Sequence, residues 1–405
     1  MAGETGALAG LRVVDLSRVL AGPYCAQLLA DHGANVVKVE APAGDDTRAW
    51  GPPFVRPGTS AYFTGINRNK SAIALDLRSP RAHEVLERLL ADADVMIENF
   101  KAGTLARWGF PDELLAERFP RLVRCRITGF GTDGPLGGAP GYDAVAQAHG
   151  GLMSVNGEAD GPALRIGVPI ADIVTGLHAF GGVLLALRER ERSGRGQLVD
   201  CALLDTAVTL LHPHSTAWLA DGTVPRRTGS AHSTVAPYET FAAQEGPLFI
   251  GVGNDRQFRA LVEVLGLPAL ADDPRFRSNA DRVTAVAELR ALLSVPIARW
   301  ECAALGAALL ARGVPAGAVH DVPTALQDPQ VRHREMVVEH DGYRGVGIPI
   351  KLDRTPGSVR SAPPDHGADT IEVLTRHGYD AAEIDALVRD GIALAPLPSE
   401  PGAGT

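Results

Sequence analysis

The chain has 405 residues, 45% of them hydrophobic, and a formal charge of −9 from 39 basic and 48 acidic side chains. That length supports two or three domains with a large buried core, which excludes a disulfide mini-protein or a disordered tail. The acidic balance argues against a broad nucleic-acid footprint, which needs a basic face. Strand and helix signals alternate from the start. Leu11-Arg-Val-Val-Asp-Leu16 reads as a strand, Pro23 to His32 as a helix closed by Gly33, and Val36-Val-Lys-Val-Glu40 as a second strand. Ile73-Ala-Leu-Asp-Leu77 follows a Gly/Pro-rich loop, and a helix is predicted from Pro80 to Ala91 with Ser79 as N-cap. Val95-Met-Ile-Glu98 and Leu122-Val-Arg-Cys-Arg-Ile127 are further strands. Apolar strands separated by helices of about ten residues indicate a buried parallel sheet, an α/β and Rossmann-like layer.

A long helix is predicted from Ile173 to about Arg192, then a strand at Gln197 to Cys201 and a helix from Leu204 to Ala220. Asp221 to Val235 is rich in Gly, Arg and Ser and reads as a linker. Leu248-Phe-Ile-Gly-Val252 opens a smaller unit, with helical patterns over Gln257–Gly266 and Asp281–Arg312 and a closing segment at Val314–Val319. Strand signals return at Glu335–His340 and Gly345–Ile350, and the last forty residues carry helices at Thr370–Arg376 and Ala381–Asp390.

Several chemistries lack their motifs. The first strand–helix turn, Arg18-Val-Leu-Ala-Gly-Pro-Tyr24, is not the G-x-G-x-x-G of a nicotinamide or flavin site, and no P-loop is present. Gly251-x-Gly253 lacks the third glycine. Cys25, Cys125, Cys201 and Cys302 lie far apart, which disfavours zinc ribbons and suits reduced thiols in the cytoplasm. His212-Pro-His214 has no third ligand at a helical offset, so no metal site is expected. No G-x-S-x-G elbow exists. The N-terminus lacks a basic, apolar leader, and no apolar run of about 18 residues is seen, so no membrane association is expected.

Asp172, in Val168-Pro-Ile-Ala-Asp172-Ile-Val-Thr-Gly176, stands where the long helix begins. It reads as an N-cap, or as a carboxylate nucleophile toward an activated acyl group; both can hold at once. Gly176, Gly181 and Gly182 cost helix propensity and predict a close neighbour along that helix.

The chain resembles the class III coenzyme A transferase family, which includes formyl-CoA transferase, carnitine CoA-transferase and the α-methylacyl-CoA racemases. The segments that carry the resemblance are Asp15-Leu-Ser-Arg-Val-Leu-Ala-Gly-Pro23, Gly33-Ala-Asn-Val-Val-Lys-Val-Glu40, Ala93-Asp-Val-Met-Ile-Glu-Asn-Phe100, Gly141-Tyr-Asp143, Ala171-Asp-Ile-Val-Thr-Gly176 and Ser193-Gly-Arg-Gly-Gln197. It implies an intertwined homodimer of interlocked rings. Each chain would have a large domain built from both chain ends (1–220 and 326–405), a linker at 221–235 and a small α/β domain at 236–325. It also implies CoA transfer from an acyl-CoA donor to a carboxylic acid acceptor, through an aspartyl anhydride and an aspartyl-CoA thioester on Asp172. No metal, nicotinamide or flavin, no nucleic acid and no membrane enter that chemistry. CoA would contact Leu20 and Ala21 at the first turn. Leu75, Asp76 and Arg78 would lie at the nucleotide end, and Asn99, Phe100 and Lys101 in a strand-end loop. Arg107 would meet a phosphate, and Gly141 and Tyr142 would border the thioester. Leu20, Ala41 and Pro140 depart from the formyl-CoA transferase pattern, as does a missing run of four glycines, which argues against an oxalate/formyl substrate pair. The racemase alternative needs a histidine where Tyr142 stands, and a phenol is a poor proton carrier at neutral pH.

Overall fold

The computed structural model describes residues 6–395. Six strands, β1 (Arg12–Asp15), β2 (Asn35–Glu40), β3 (Lys70–Leu75), β4 (Val95–Glu98), β5 (Val123–Thr128) and β6 (Leu198–Ala202), join the C-terminal strand Ala393–Leu394 in one sheet. From one edge the order is C-terminal strand, β3, β2, β1, β4, β5, β6. All pairings are parallel except the last strand, which runs antiparallel on β3 with Ala393 opposite Leu75. The order reverses between β1 and β4. In a doubly wound sheet that switch point opens a crevice at the carboxyl ends of the strands, where ligands bind.

The strands are apolar on both faces because both are covered. Val13, Val36, Val95, Ile97 and Val123 face a layer made by α1 (Ala21–Asp31) and a later long helix. Val14, Ile73, Leu75 and Met96 face α2 (Pro80–Ala91) and the C-terminal helices Thr370–Arg376 and Ala381–Arg389. Two more helices shape the site: α3 (Asp143–His149) and the long helix itself, α4 (Ile170–Ser193). Among the described residues α4 alone is long and apolar enough to cross a membrane by length and composition, with a mean hydropathy of 1.8. It is a core helix here: Ala171, Ala179, Val183 and Ala186 are buried in the same cluster as the sheet.

The chain divides into two compact units. One comprises 1–152, 166–212 and 329–405; the other comprises 153–165 and 213–328. Residues 153–165, read from sequence as part of the first domain, join the second unit. There Arg227 Nη2 donates to the carbonyl of Gly161 (2.7 Å). The second unit has its own antiparallel sheet of β7 (Tyr238–Ala243), β8 (Gly246–Gly251) and β9 (Ala316–Ala318), in the order β9, β8, β7. Its core includes Phe241, Ile250, Phe258, Leu293 and Leu305.

Several expected elements shift. The helix expected over 204–220 is two, Leu203–Thr209 and His214–Asp221, broken at Pro213, which has no N–H to give. The pattern over 281–312 is three helices, Asn279–Thr284, Val286–Ile297 and Cys302–Ala311. Ser79 precedes α2 but its side chain makes no cap bond. The late strands form a tight hairpin, Val337–His340 with Tyr343–Val346, so the second begins earlier than its apolar run suggests and ends before Pro349. Gly176 and Gly182 do have close neighbours, since a Cβ would meet the carbonyl of Ala21 at 2.8 Å and Val199 at 2.6 Å, whereas Gly181 faces open space.

Candidate active site

The turn after β1 is held from several sides. Asn99, just beyond β4, clamps Arg18 twice: the Arg18 amide donates to Asn99 Oδ1 (2.8 Å), and Asn99 Nδ2 donates to the Arg18 carbonyl (2.7 Å). Lys38 Nζ donates to the carbonyl of Ser17 (2.9 Å). Val19 is thereby held at φ 69°, a conformation that a β-branched residue rarely adopts and that costs about 1–3 kcal/mol. Such strain persists only where the surroundings over-determine it, as Asn99 and Lys38 do here.

A cavity of about 220 Å³ opens beside this turn at the switch point of the sheet. Its lining brings together Arg18, Leu20, Ala21, Asn99, Phe100, Lys101, Gly141, Tyr142 and Asp172. Gly129 and Gly141 meet backbone to backbone at its wall, where a Cβ on Gly129 would lie 2.7 Å from Gly141 Cα. Only glycine fits there, and the bare wall lets a ligand chain approach closely.

Asp172 sits in the first turn of α4, two residues after its start at Ile170, so it is not the N-cap. The helix is capped from outside instead. Asp143 Oδ1, at the start of α3, accepts from the amides of Ala171 (2.8 Å) and Asp172 (3.3 Å). Asp143 Oδ2 accepts from Gln147 Nε2 (2.7 Å), and Gln147 Oε1 accepts from the Ile166 amide (2.8 Å). Among the described residues nothing donates a hydrogen bond to the Asp172 carboxylate. Burial first, and then the negative charge of Asp143, push its carboxyl up to about 7. Tyr62 responds to the same field: burial and the charges of Asp172, Asp143 and Asp45 push its phenol up to about 12. A bare, desolvated carboxylate beside an open cavity has the basicity that nucleophilic catalysis requires.

A family profile described as CoA-transferase family III matches residues 8–370. The chain belongs to that family. It is 42% identical to the succinate–glutarate CoA-transferase of Agrobacterium fabrum, over 91% of this chain and 94% of that protein. It is 38% identical to the acetyl-CoA:oxalate CoA-transferase of Acetobacter aceti, covering 86% and 89%. A solved CAIB/BAIF family protein from Brucella suis is 41% identical, superposes with a TM-score of 0.84, and covers 92% of this chain and all of that one. This family III member is an acyl-CoA:carboxylate CoA-transferase, and the names of its relatives favour transfer over racemisation.

Of the residues that the resemblance singles out, eight line the one cavity: Leu20, Ala21, Asn99, Phe100, Lys101, Gly141, Tyr142 and Asp172. The remaining four lie outside its lining. Leu75 is buried in β3, paired with Ala393 of the C-terminal strand. Arg78 is bound bidentately to Asp76 (2.8 Å for each bond), with its side chain 79% exposed. Arg107 ends a short helix and donates to Thr104 Oγ1 (2.8 Å). Sequence reasoning missed Arg18, Tyr62 and Asp143. Arg18 and Asp143 stood inside the quoted motifs, and Asp143 carried a signal of its own, an acid at the first residue of a helix.

Proposed function

We propose that Asp172 carries the transfer as a nucleophile. Its carboxylate attacks the thioester carbonyl of the donor, the CoA thiolate leaves, and a mixed anhydride of donor acid and Asp172 forms. The thiolate then attacks the aspartyl carbonyl, which releases the donor acid and leaves an aspartyl-CoA thioester. The acceptor carboxylate attacks that thioester, its C–S bond breaks to release CoA thiolate again, and a second anhydride forms. Thiolate attack on its acceptor carbonyl forms the new acyl-CoA and frees Asp172. The observation that carries this reading is the buried, undonated carboxylate of Asp172 beside a glycine-walled cavity.

CoA would run along Leu20, Ala21, Asn99, Phe100, Lys101, Gly141 and Tyr142 toward Asp172. Its nucleotide end would reach Leu75, Asp76, Arg78 and Arg107 over a Rossmann-like sheet edge. Arg78 would have to exchange Asp76 for a phosphate. Dicarboxylic acids are the favoured substrates: relatives are named for succinate and glutarate, and the cavity holds the Lys101 ammonium and the Arg18 guanidinium, the latter paired with Asp46 (3.4 Å). The working form would be a cytoplasmic, interlocked homodimer, supported by exposed apolar side chains such as Leu185 on α4 (74% exposed) and Leu219 (75%).

The test is Asp172→Asn. Turnover should fall by several orders of magnitude while CoA binding and folding persist. Wild-type enzyme given succinyl-CoA and then hydroxylamine should carry a hydroxamate on Asp172, seen as a peptide mass shift. Turnover that survives in the variant sinks the nucleophile.

A further inference from the structure

We propose that Asp143 is a positioning residue for Asp172: it fixes the start of α4 through two backbone amides and, by its negative charge, keeps the Asp172 carboxylate a strong base. This rests on the reading of Asp172 as the nucleophile. The geometry carries it. One oxygen of Asp143 takes the amides of Ala171 and Asp172, and the other is tied back by Gln147. Those two amides are among the four that a helix start leaves without an intrahelical partner. Satisfied by Asp143, they are not left for the Asp172 carboxylate, which would lose basicity by accepting them. The positive end of the helix is screened by the same carboxylate. The arrangement therefore removes the two local influences that would make Asp172 a weak base, and adds a like charge that makes it a stronger one.

The other titratable or charged groups that share the cavity are Arg18, Asp46, Lys101 and Tyr142, and Tyr62 feels the charge of Asp172 from its own short helix. On α4 itself, His178 is engaged with Thr206 (3.2 Å). Tyr62 also feels Asp143, but its phenol is pushed up to about 12 and stays neutral through the acid limb, so a shift of that limb reports the Asp143 charge on Asp172.

Two variants separate charge from anchoring. In Asp143→Asn the amide NH₂ would oppose the NH₂ of Gln147. In the pair Asp143→Asn with Gln147→Glu the bonding pattern is restored. The Asn carbonyl accepts the two amides, its NH₂ donates to Glu, and the second Glu oxygen accepts from Ile166. The charge has then moved back by one helical turn. The readout is kcat/KM for the succinyl-CoA donor against pH, which reports ionisation in the free enzyme, with CoA affinity by calorimetry. In the pair the acid limb should move down by about one pH unit. Turnover on the alkaline plateau should fall several-fold, and CoA affinity should stay within about two-fold. An acid limb in the pair that coincides with the wild type, or lies above it, overturns the proposal. The nucleophile stands or falls separately: turnover in Asp172→Asn would remove it whatever the Asp143 variants do.

Discussion

Burial, and then the charge of Asp143, push the Asp172 carboxyl up to about 7 from an ordinary value of 3.8. Between these values the folded chain holds a proton that the unfolded chain has released, so stability falls as pH rises through that window. Above pH 7 the fold bears the whole cost of a buried charge, on the order of 4 kcal/mol at most. Asp172→Asn carries no charge to bury. It should therefore unfold at a higher temperature than wild type at pH 8 and lose that advantage by about pH 4. An equal or lower melting temperature at pH 8 would show that the site does not penalise the carboxylate. Asp172 was legible in the sequence because an apolar stretch and a helix meet at it. Asp143 was not legible as its partner, since 29 residues separate the two and only the packing of α3 on α4 joins them. The strain at Val19 was equally silent, because it is imposed by Asn99 from the neighbouring strand end.

The six parallel strands were readable, since burial on both faces writes a run of Val, Ile and Leu; the C-terminal strand Ala393–Leu394 and β7 were not. The charges embedded in the parallel strands were not legible either. Lys70, at the start of β3, donates to Asp15 Oδ2 (2.9 Å), the Pro23 carbonyl (2.9 Å) and Asn67 Oδ1 (2.8 Å), with no exposed surface on the ammonium or on Asp15. Lys38 in β2 pairs with Asp45 (3.0 Å) in the same layer, and Glu40 is held by Arg48 (2.6 Å). Sequence pattern cannot show this, because each lysine finds its acid on a neighbouring element, Asp15 for Lys70 and Asp45 for Lys38. The network underlies the strained turn: Lys38 reaches Ser17 and Lys70 reaches Pro23, one on each side of Val19. Lys70→Ala would leave Asp15 buried without its cation. It should cost about 3–5 kcal/mol in chemical denaturation, far more than an exposed pair such as Arg78 with Asp76. A loss below about 1 kcal/mol would mean that water or rearrangement relieves Asp15.

At the scale of the molecule, length and the mid-chain change in composition indicated two units, but not which segments each would claim. The short excursion at 153–165 has no pattern of its own and is assigned by its bonds to Arg227. Apolar side chains left exposed on each unit, Leu177 and Leu185 on α4 and Trp218 and Leu219 on the helix His214–Asp221, fit burial against a second copy. If the copies interlock, parting them requires a chain to open. Light scattering should then give the mass of two chains across a wide dilution series, and differently labelled copies should exchange only over hours. A folded, active single chain at low concentration would refute the interlock.

The two C-terminal helices complete, beside α2, the cover of one face of the sheet, and the C-terminal strand closes its edge on β3. On the ribosome β3 is translated early and this part of its cover last. The nascent chain must therefore carry an open sheet edge and the apolar surface beside it through most of its synthesis, a natural client for holdase chaperones until the segment from Thr370 to Leu394 emerges and closes it.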